Sequence, residues 1–247
     1  MKHRSFQLEQ QWCMIHYPER PNGFGVMILG DYHHYVDNNN SFWLQQEARN
    51  PIIRELNDNG YFVFYSNLFG ANWGSDQAVQ LAKRMYQYVK RTEIMNSKIH
   101  ILADGMGALV LRKLYPMLRD DLRSVVLYSP CVSLYEHYHQ EKEQKFFYKK
   151  LQREISQANE IKEKDCEQWV NFYQGDYLDF MSYSIPLYMI QWVSTTRYKK
   201  QFPFIKEIYK DRMKKKYLTD LFFLLPEKKS TIGGKITSYF QKHEYEL

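Results

Sequence analysis

The order of apolar and amphipathic segments predicts an α/β fold with a doubly wound, mainly parallel β-sheet. Short apolar runs, such as Gly25–Leu29 and residues 61–65, have the length and composition of fully buried strands. They alternate with helical patterns, and the run at 99–103 leads directly into a glycine-bearing corner and an apolar helix. Alternation of this kind favours a parallel sheet covered by helices on both faces.

The individual elements follow from local pattern and turn chemistry. Apolar residues recur at spacings of three and four after Ser75 and Asp76, which indicates an amphipathic helix that begins there. Asn50 and Pro51 are typical of a helix start. A polar loop is expected at 38–41, and a terminal helix after Gly233 and Gly234. The predicted strands are residues 7–17, 25–29, 61–65, 99–103, 124–128, 187–193 and 221–225.

Residues 135–184 interrupt this alternation. They are charged, rich in tyrosine and helical in pattern, with no clear strand. Because they separate two predicted core strands, we expect them to form a helical cap over the carboxyl ends of the sheet. The sequence therefore predicts one domain over residues 1–247, with 135–184 as a cap insertion.

Charge is concentrated in one part of the chain. The formal net charge is +6, yet residues 197–216 hold nine Lys and Arg against two acidic residues, so the remainder is nearly neutral. A general nucleic-acid binder is expected to spread basic residues more widely. The predicted basic helix at 202–216 has Ile205, Ile208, Tyr209 and Met213 on its inner face, and its lysines fit a solvated outer face.

The sequence indicates a reducing, cytoplasmic setting. Its three cysteines, Cys13, Cys131 and Cys166, are too few and too scattered for a disulfide framework. The amino-terminal segment lacks the apolar core of a secretory leader. No apolar run approaches the roughly 20 residues that a membrane-spanning helix requires.

The corner at Ala103-Asp104-Gly105-Met106-Gly107 carries the strongest motif. A strand, a sharp turn and a helix in this order resemble the nucleophile elbow G-x-S-x-G of the α/β-hydrolase superfamily. The chain is similar in particular to the lysophospholipase and serine aminopeptidase branch, whose H-S-M-G-G compares with D-G-M-G-A-L here. The resemblance covers roughly residues 20–240 and implies an α/β-hydrolase fold with a helical cap.

The resemblance also implies three positions for a catalytic triad, and none of them holds the expected residue. Gly105 stands at the nucleophile position, where a side chain is required for attack. The loop at 194–197 after the strand at 187–193 contains no carboxylate, and the loop at 226–231 after the last strand contains no histidine. His243 is expected inside the terminal helix. The resemblance thus predicts a degenerate elbow at Asp104, Gly105, Met106 and Gly107.

The same resemblance implies an oxyanion hole formed by two backbone amides. One belongs to the turn after the strand at 25–29, which reads Leu29-Gly30-Asp31-Tyr32, and Gly30 matches the family's glycine. The second is the amide of Met106, which follows the nucleophile position.

Other polar residues near the strand ends provide alternative candidates. Asp104 could act as a nucleophile, as in dehalogenase-like members, but capping the next helix or hydrogen bonding within the turn fits better. His33 and His34, which lie close after Asp31 in the chain, are acid–base or metal candidates. Ser129 and Cys131 come after the strand at 124–128 and are expected to face the same cleft.

Neither a metal site nor a cofactor is predicted. His137 and His139 could share one side of an extended segment, but no Cys, His or Asp at a suitable spacing completes a metal site. There is also no dinucleotide or phosphate-loop motif.

Two functions from different classes follow. The first is a non-catalytic protein that uses the cleft or the cap to bind a small apolar or acyl-bearing ligand or a protein partner. The alternative is a hydrolase of ester or amide bonds that uses a non-standard or misassigned site. The predicted cleft walls are Tyr32, Met106, Ser129 and the cap aromatics Phe146, Phe147 and Trp169.

Overall fold

A computed structural model describes residues 2–193 and 197–244 of the chain. Eight strands form one sheet in the order β1-β2-β4-β3-β5-β6-β7-β8. The strands are β1 (Lys2–Leu8), β2 (Gln11–Tyr17), β3 (Gly25–Leu29), β4 (Phe62–Ser66), β5 (Ile99–Asp104), β6 (Leu122–Tyr128), β7 (Leu187–Trp192) and β8 (Thr219–Leu224).

The sheet is parallel from β4 to β8, as the sequence pattern predicts. The strands β4, β3, β5, β6, β7 and β8 pair in parallel, and only β2 joins β1 and β4 in antiparallel register. The carboxyl ends of β3, β5, β6 and β7 therefore meet at one edge, where such sheets place their sites.

Helices connect most of the strands. In the described part of the chain they are α1 (Phe42–Gln45), α2 (Asn50–Asp58), α3 (Asp76–Thr92), α4 (Gly107–Leu118), α5 (Leu134–Glu141), α6 (Lys145–Ala158), α7 (Cys166–Asn171), α8 (Phe202–Lys214) and α9 (Ile232–Gln241). The side chain of Ser75 caps α3 by accepting a hydrogen bond from the amide of Ala78, as expected for a helix that begins there.

The two faces of the sheet carry separate apolar clusters. Met27 and Leu29 of β3 pack with the apolar sides of α3, α4 and α8, whereas Val26 and Ile28 pack with α2 and α9. This alternation follows from the period of two along a strand. Burial on both faces explains why β3 reads as a continuous apolar run and confirms the doubly wound prediction.

The amino-terminal region differs from its prediction. The range 7–17, predicted to be one strand, contains the end of β1, a turn and β2. The two strands form a hairpin, and β1 was not predicted. Glu9 and Gln10 form its two-residue turn with φ of 51° and 63°. Nothing in this non-glycine pair indicated a turn, because such hairpin turns usually contain Asn or Gly.

Two expectations about the last helices are also wrong. The inner face of α8 includes Arg212, which is fully buried, whereas Met213 is 49% exposed. Arg212 donates hydrogen bonds to the backbone carbonyls of Phe180 and Ile185 and to the hydroxyl of Thr219. Its buried guanidinium therefore has hydrogen-bond partners inside the protein. Gly233 and Gly234 lie inside α9, which ends before His243.

The segment between β6 and β7 is helical and packs beside the elbow. A third apolar cluster joins Met106 and Trp73 to Leu134 of α5, Leu151 of α6 and Val170 of α7. Phe146 is 77% exposed, so it does not line a closed cleft, because the inward side of α6 is formed by other residues. None of the described helices is long and apolar enough to cross a membrane.

Candidate functional site

The turn after β5 is held close to the neighbouring strands. Gly105 has a φ of +53°, a conformation that residues with a side chain rarely adopt. Its amide donates to the carbonyl of Tyr128 at 3.0 Å, and its carbonyl accepts from the amide of Cys131 at 2.8 Å. A Cβ on Gly107 would lie 2.0 Å from the carbonyl oxygen of Leu29. Both glycines are therefore required by the backbone itself.

The carboxylate of Asp31 occupies the space beside Gly105. A Cβ added to Gly105 would lie 2.5 Å from Cγ of Asp31 and 2.6 Å from its Oδ2. Oδ1 accepts hydrogen bonds from the amide of Met106 at 3.1 Å and from the hydroxyl of Tyr198 at 2.8 Å. Oδ2 makes no hydrogen bond to any residue that the structure describes. A partly exposed carboxylate thus stands where a nucleophile's side chain would begin.

Both amides of the expected oxyanion hole are engaged. The amide of Met106 donates to Asp31, and the amide of Asp31 donates to Nδ1 of His34 at 2.9 Å. Gly30 allows this turn, because a Cβ there would lie 2.6 Å from the ring of His34. The predicted residues are therefore assembled, but in this arrangement their donors bind the protein's own atoms.

Asp104 belongs to a buried network below the turn. It is 2% exposed and its Oδ2 accepts from Nε of Arg49 at 2.7 Å, while Nε2 of His34 lies 3.7 Å away. Burial raises the pKa of Asp104 to about 6, and Arg49 opposes this rise. Because Asp104 is enclosed and caps no helix, neither the nucleophilic nor the capping interpretation fits.

The two neighbouring histidines have different environments. His34 is buried, stacks on Phe42, and has its pKa lowered by burial and then by the Arg49 charge. His33 is exposed and lies against Tyr32, with its pKa lowered by partial burial and then by Lys150 and Arg197. A neutral His34 fits its role as an acceptor from the Asp31 amide. It therefore positions Asp31 and does not face a substrate.

Ser129 and Cys131 lie at the end of β6, as predicted, but neither is activated. Ser129 has a φ of 44°, and its buried Oγ has no partner among the described residues. Cys131 is fully buried, and burial raises the pKa of its thiol well above the ordinary value. A buried neutral thiol is a poor nucleophile, so Cys131 packs against the elbow instead of attacking.

The remaining histidine candidates do not form a metal site. His137 is buried against Trp73 with ring centroids 5.3 Å apart, whereas His139 on the same helix pairs with the side chain of Asn171. Within residues 2–193 and 197–244, no three His, Cys, Asp or Glu side chains are grouped as metal ligands.

The loops expected to supply an acid and a base are described only in part. Ser194, Thr195 and Thr196 lie outside the described residues. The loop after β8 is a 3₁₀ turn over Pro226–Thr231, and it carries no histidine. His243 follows α9 and its ring packs against Tyr239.

Three contributing residues were missed from the sequence. Arg49 pairs with Asp104, Tyr198 binds Asp31, and the guanidinium of Arg197 lies 4.0 Å from the ring centre of Tyr32. Arg197 is the last residue of the loop expected to hold the catalytic acid, and Tyr198 follows it directly. Their place in the chain was the available signal, but the resemblance implies only a carboxylate there.

A cavity of about 460 Å³ opens beside Arg197. Tyr32 and Arg197 form its wall on the side of the sheet, and Phe147, Lys150 and Leu151 of α6 form the opposite wall. This volume is within the usual range for small-molecule sites. The cavity therefore lies between the strand ends and the helical segment.

Comparison with solved structures identifies the architecture. Est1E from Butyrivibrio proteoclasticus aligns over 100% of both chains with a TM-score of 0.67 at 12% identity. A lipase in its open form aligns over 99% of both, with a TM-score of 0.66 at 10% identity. The thioesterase domain from the curacin biosynthetic pathway aligns over 98% of this chain and 99% of its own, with a TM-score of 0.61 at 11% identity.

The chain has an α/β-hydrolase fold. No family model matches the sequence, and no curated protein matches it. The similar structures carry the names of hydrolases, namely an esterase, a lipase and a thioesterase. The first functional hypothesis, a non-catalytic binding protein, is therefore corrected in favour of the alternative, a hydrolase whose site is non-standard or was misassigned from the sequence.

Proposed function

We propose that this protein hydrolyses ester bonds of acyl substrates without a Ser–His–acid triad and uses Asp31 as a general base. One observation carries the proposal: the Asp31 carboxylate fills the space beside Gly105 where a nucleophile's side chain would begin. The α/β-hydrolase fold supports the reaction class by analogy, and the site supplies the reacting group.

The hydrogen bonds around Asp31 support its role as a base. Met106 and Tyr198 both donate to Oδ1, which fixes the carboxylate and leaves Oδ2 without a described partner. A positioned carboxylate with an available oxygen can accept a proton from water. His34, through the Asp31 amide, holds the backbone of the same residue.

The reaction then proceeds in two steps. Oδ2 takes a proton from water, and the water oxygen bonds to the acyl carbon to give a tetrahedral intermediate. The intermediate collapses as the bond to the leaving oxygen breaks, and the proton passes from Asp31 to that oxygen. The helical segment α5 to α7 acts as a cap that limits access of bulk water.

The expected rate is modest. General-base assistance contributes about 10²–10⁴-fold, and a preorganised oxyanion hole adds further rate when its donors are available. Here Met106 and Asp31 use their amides internally. We therefore expect turnover of activated esters well below that of an enzyme with a complete triad.

Replacement of Asp31 by asparagine tests the proposal. Asp31→Asn retains an oxygen that accepts from Met106 and Tyr198 but cannot take a proton, so hydrolysis of p-nitrophenyl butyrate should fall about 10²-fold or more. Asp120→Asn is the control, because Asp120 is exposed beyond the far end of α4. Equal activity of Asp31→Asn and wild type would contradict the role of Asp31.

Two further measurements define the mechanism. A fluorophosphonate probe should leave the wild-type protein unlabelled while the ester is still hydrolysed, because Gly105 offers no hydroxyl. Intact-mass analysis of rapidly quenched reactions should show no acyl adduct. A stable adduct on any residue would replace the general-base mechanism with a covalent one.

A further inference from the structure

The cavity beside Asp31 is lined by an excess of positive charge. Lys150, Arg197, Lys199 and Lys200 line it, and Glu141 is the acidic residue among the lining side chains. The cavity combines these cations with the apolar surfaces of Phe147 and Leu151. These four cations are exposed, so they give the cavity surface a positive charge that a bound anion can meet.

Some of these cations already have acidic neighbours. Nζ of Lys200 lies 2.8 Å from Glu143, and Nζ of Lys150 lies 3.7 Å from Glu154. Glu154 also accepts a hydrogen bond from the indole of Trp73. The positive charges of these two lysines are therefore largely neutralised by Glu143 and Glu154.

Arg197 is different, because its donors are unused. The guanidinium carbon lies 4.0 Å from the ring centre of Tyr32 and 5.0 Å from that of Trp73. It makes no hydrogen bond or ion pair with any residue in the described ranges. Aromatic rings thus fix the orientation of a planar group that suits two oxygens of one anion.

The location of Arg197 links it to the reacting group. The next residue, Tyr198, donates to Asp31 Oδ1, and Tyr32 both follows Asp31 in the chain and lines the cavity. An anion held by Arg197 would therefore lie near the carboxylate that takes a proton from the attacking water.

We infer that Arg197 binds an anionic group, a carboxylate or a phosphate, on the acyl substrate, and that Lys199 supports this selection. This inference rests on the proposed function. It specifies the substrate class as esters that carry a negative charge a few bonds from the scissile carbonyl.

Paired substrates test the inference. We expect p-nitrophenyl hemiglutarate, whose acyl chain ends in a carboxylate, to be hydrolysed with a kcat/KM about tenfold or more above that of neutral p-nitrophenyl butyrate. Arg197→Gln should abolish this preference, so that the variant hydrolyses the two esters with similar kcat/KM. Arg91→Gln, at an exposed position of α3, should behave as wild type. A preference unchanged in Arg197→Gln would overturn the inference.

A binding measurement separates this inference from the proposed catalysis. Glutarate and inorganic phosphate are titrated calorimetrically into the wild-type protein and Arg197→Gln, and the tighter of the two identifies the anion class. Arg197-dependent binding without hydrolysis of either ester would retain the anion site and reject the catalytic proposal. Hydrolysis of both esters with no anion binding would reject the anion site and retain catalysis.

Discussion

Gly105 and Asp31 depend on each other. The glycine is required twice, first because its φ is +53° and second because the Asp31 carboxylate fills the space beside its Cα. A side chain at 105 would have to displace Asp31 from Met106 and Tyr198. Because Gly105 has no side chain, it leaves room beside the turn for the carboxylate of Asp31.

The variant Gly105→Ala should separate backbone strain from loss of the carboxylate position. We expect a destabilisation of about 1–2 kcal/mol from the left-handed backbone, and a fall in ester hydrolysis comparable to that of Asp31→Asn. Gly70→Ala is the matched control: Gly70 has a φ of +67° with nothing within 4 Å of an added Cβ. It should lose only the stability that backbone strain accounts for and retain activity, as measured by chemical denaturation and ester turnover. Full activity in Gly105→Ala would argue against the position assigned to Asp31.

At the scale of elements, close approach of α4 to β3 sets the elbow. The Cβ position of Gly107 lies 2.0 Å from the Leu29 carbonyl oxygen, so the first turn of α4 rests directly on the end of β3. The opposite face differs, because Gly234 in α9 has open space around it, with the nearest atom, Oε1 of Glu55, at 3.9 Å.

Alanine at these two helical glycines should therefore have opposite effects. Gly107→Ala should lower the free energy of unfolding by about 3 kcal/mol, because backbone atoms cannot move aside as a flexible side chain can. Gly234→Ala should raise it by about 0.5–1 kcal/mol, because alanine loses less chain entropy in a helix. Urea denaturation of both variants measures the difference. A neutral Gly107→Ala would show that α4 can shift away from β3.

At the scale of the whole molecule, buried ionisable groups determine the response to acid. Four histidines are buried: His16, His34, His100 and His137. Burial lowers the pKa of His16 and His137 to about 3 and that of the other two well below the ordinary value. Burial raises the pKa of Asp104 and Asp176 to about 6.

These shifts predict a loss of stability between pH 6.5 and pH 4. Each histidine contributes stability that is complete above its unfolded value and declines as pH falls, by about 1.4 kcal/mol per pH unit. The two carboxyls act in the opposite direction, since their contribution is complete below about pH 4 and is lost as pH rises through about 6. Four histidines outweigh two carboxyls, so the free energy of unfolding at pH 5 should lie below that at pH 7.

A single variant tests the origin of this pH dependence. His137→Gln removes one buried titrating ring whose Nε2 has no described partner, so the difference in stability between pH 5 and pH 7 should become smaller. Identical pH profiles for wild type and His137→Gln would contradict the assignment to buried histidines.

The sequence by itself determined the sheet and most of its strands. Runs such as Gly25–Leu29 are apolar throughout because both faces of a parallel strand are covered, so burial is visible in composition alone. The glycines of the corner marked the strand–turn–helix for a similar reason, since only glycine fits where backbones meet. The hairpin at β1 escaped prediction because its turn residues, Glu9 and Gln10, carry no turn signature.

Only the tertiary structure decided what occupies the elbow. Asp31 reaches the amide of Met106 from 75 positions away in the chain, and Tyr198 reaches Asp31 from 167 positions away. No periodicity or spacing records such a meeting, because it depends on the path of each loop beyond its strand. The sequence predicted that Gly105 stands at the nucleophile position, and the fold places the carboxylate of Asp31, from another strand end, beside it.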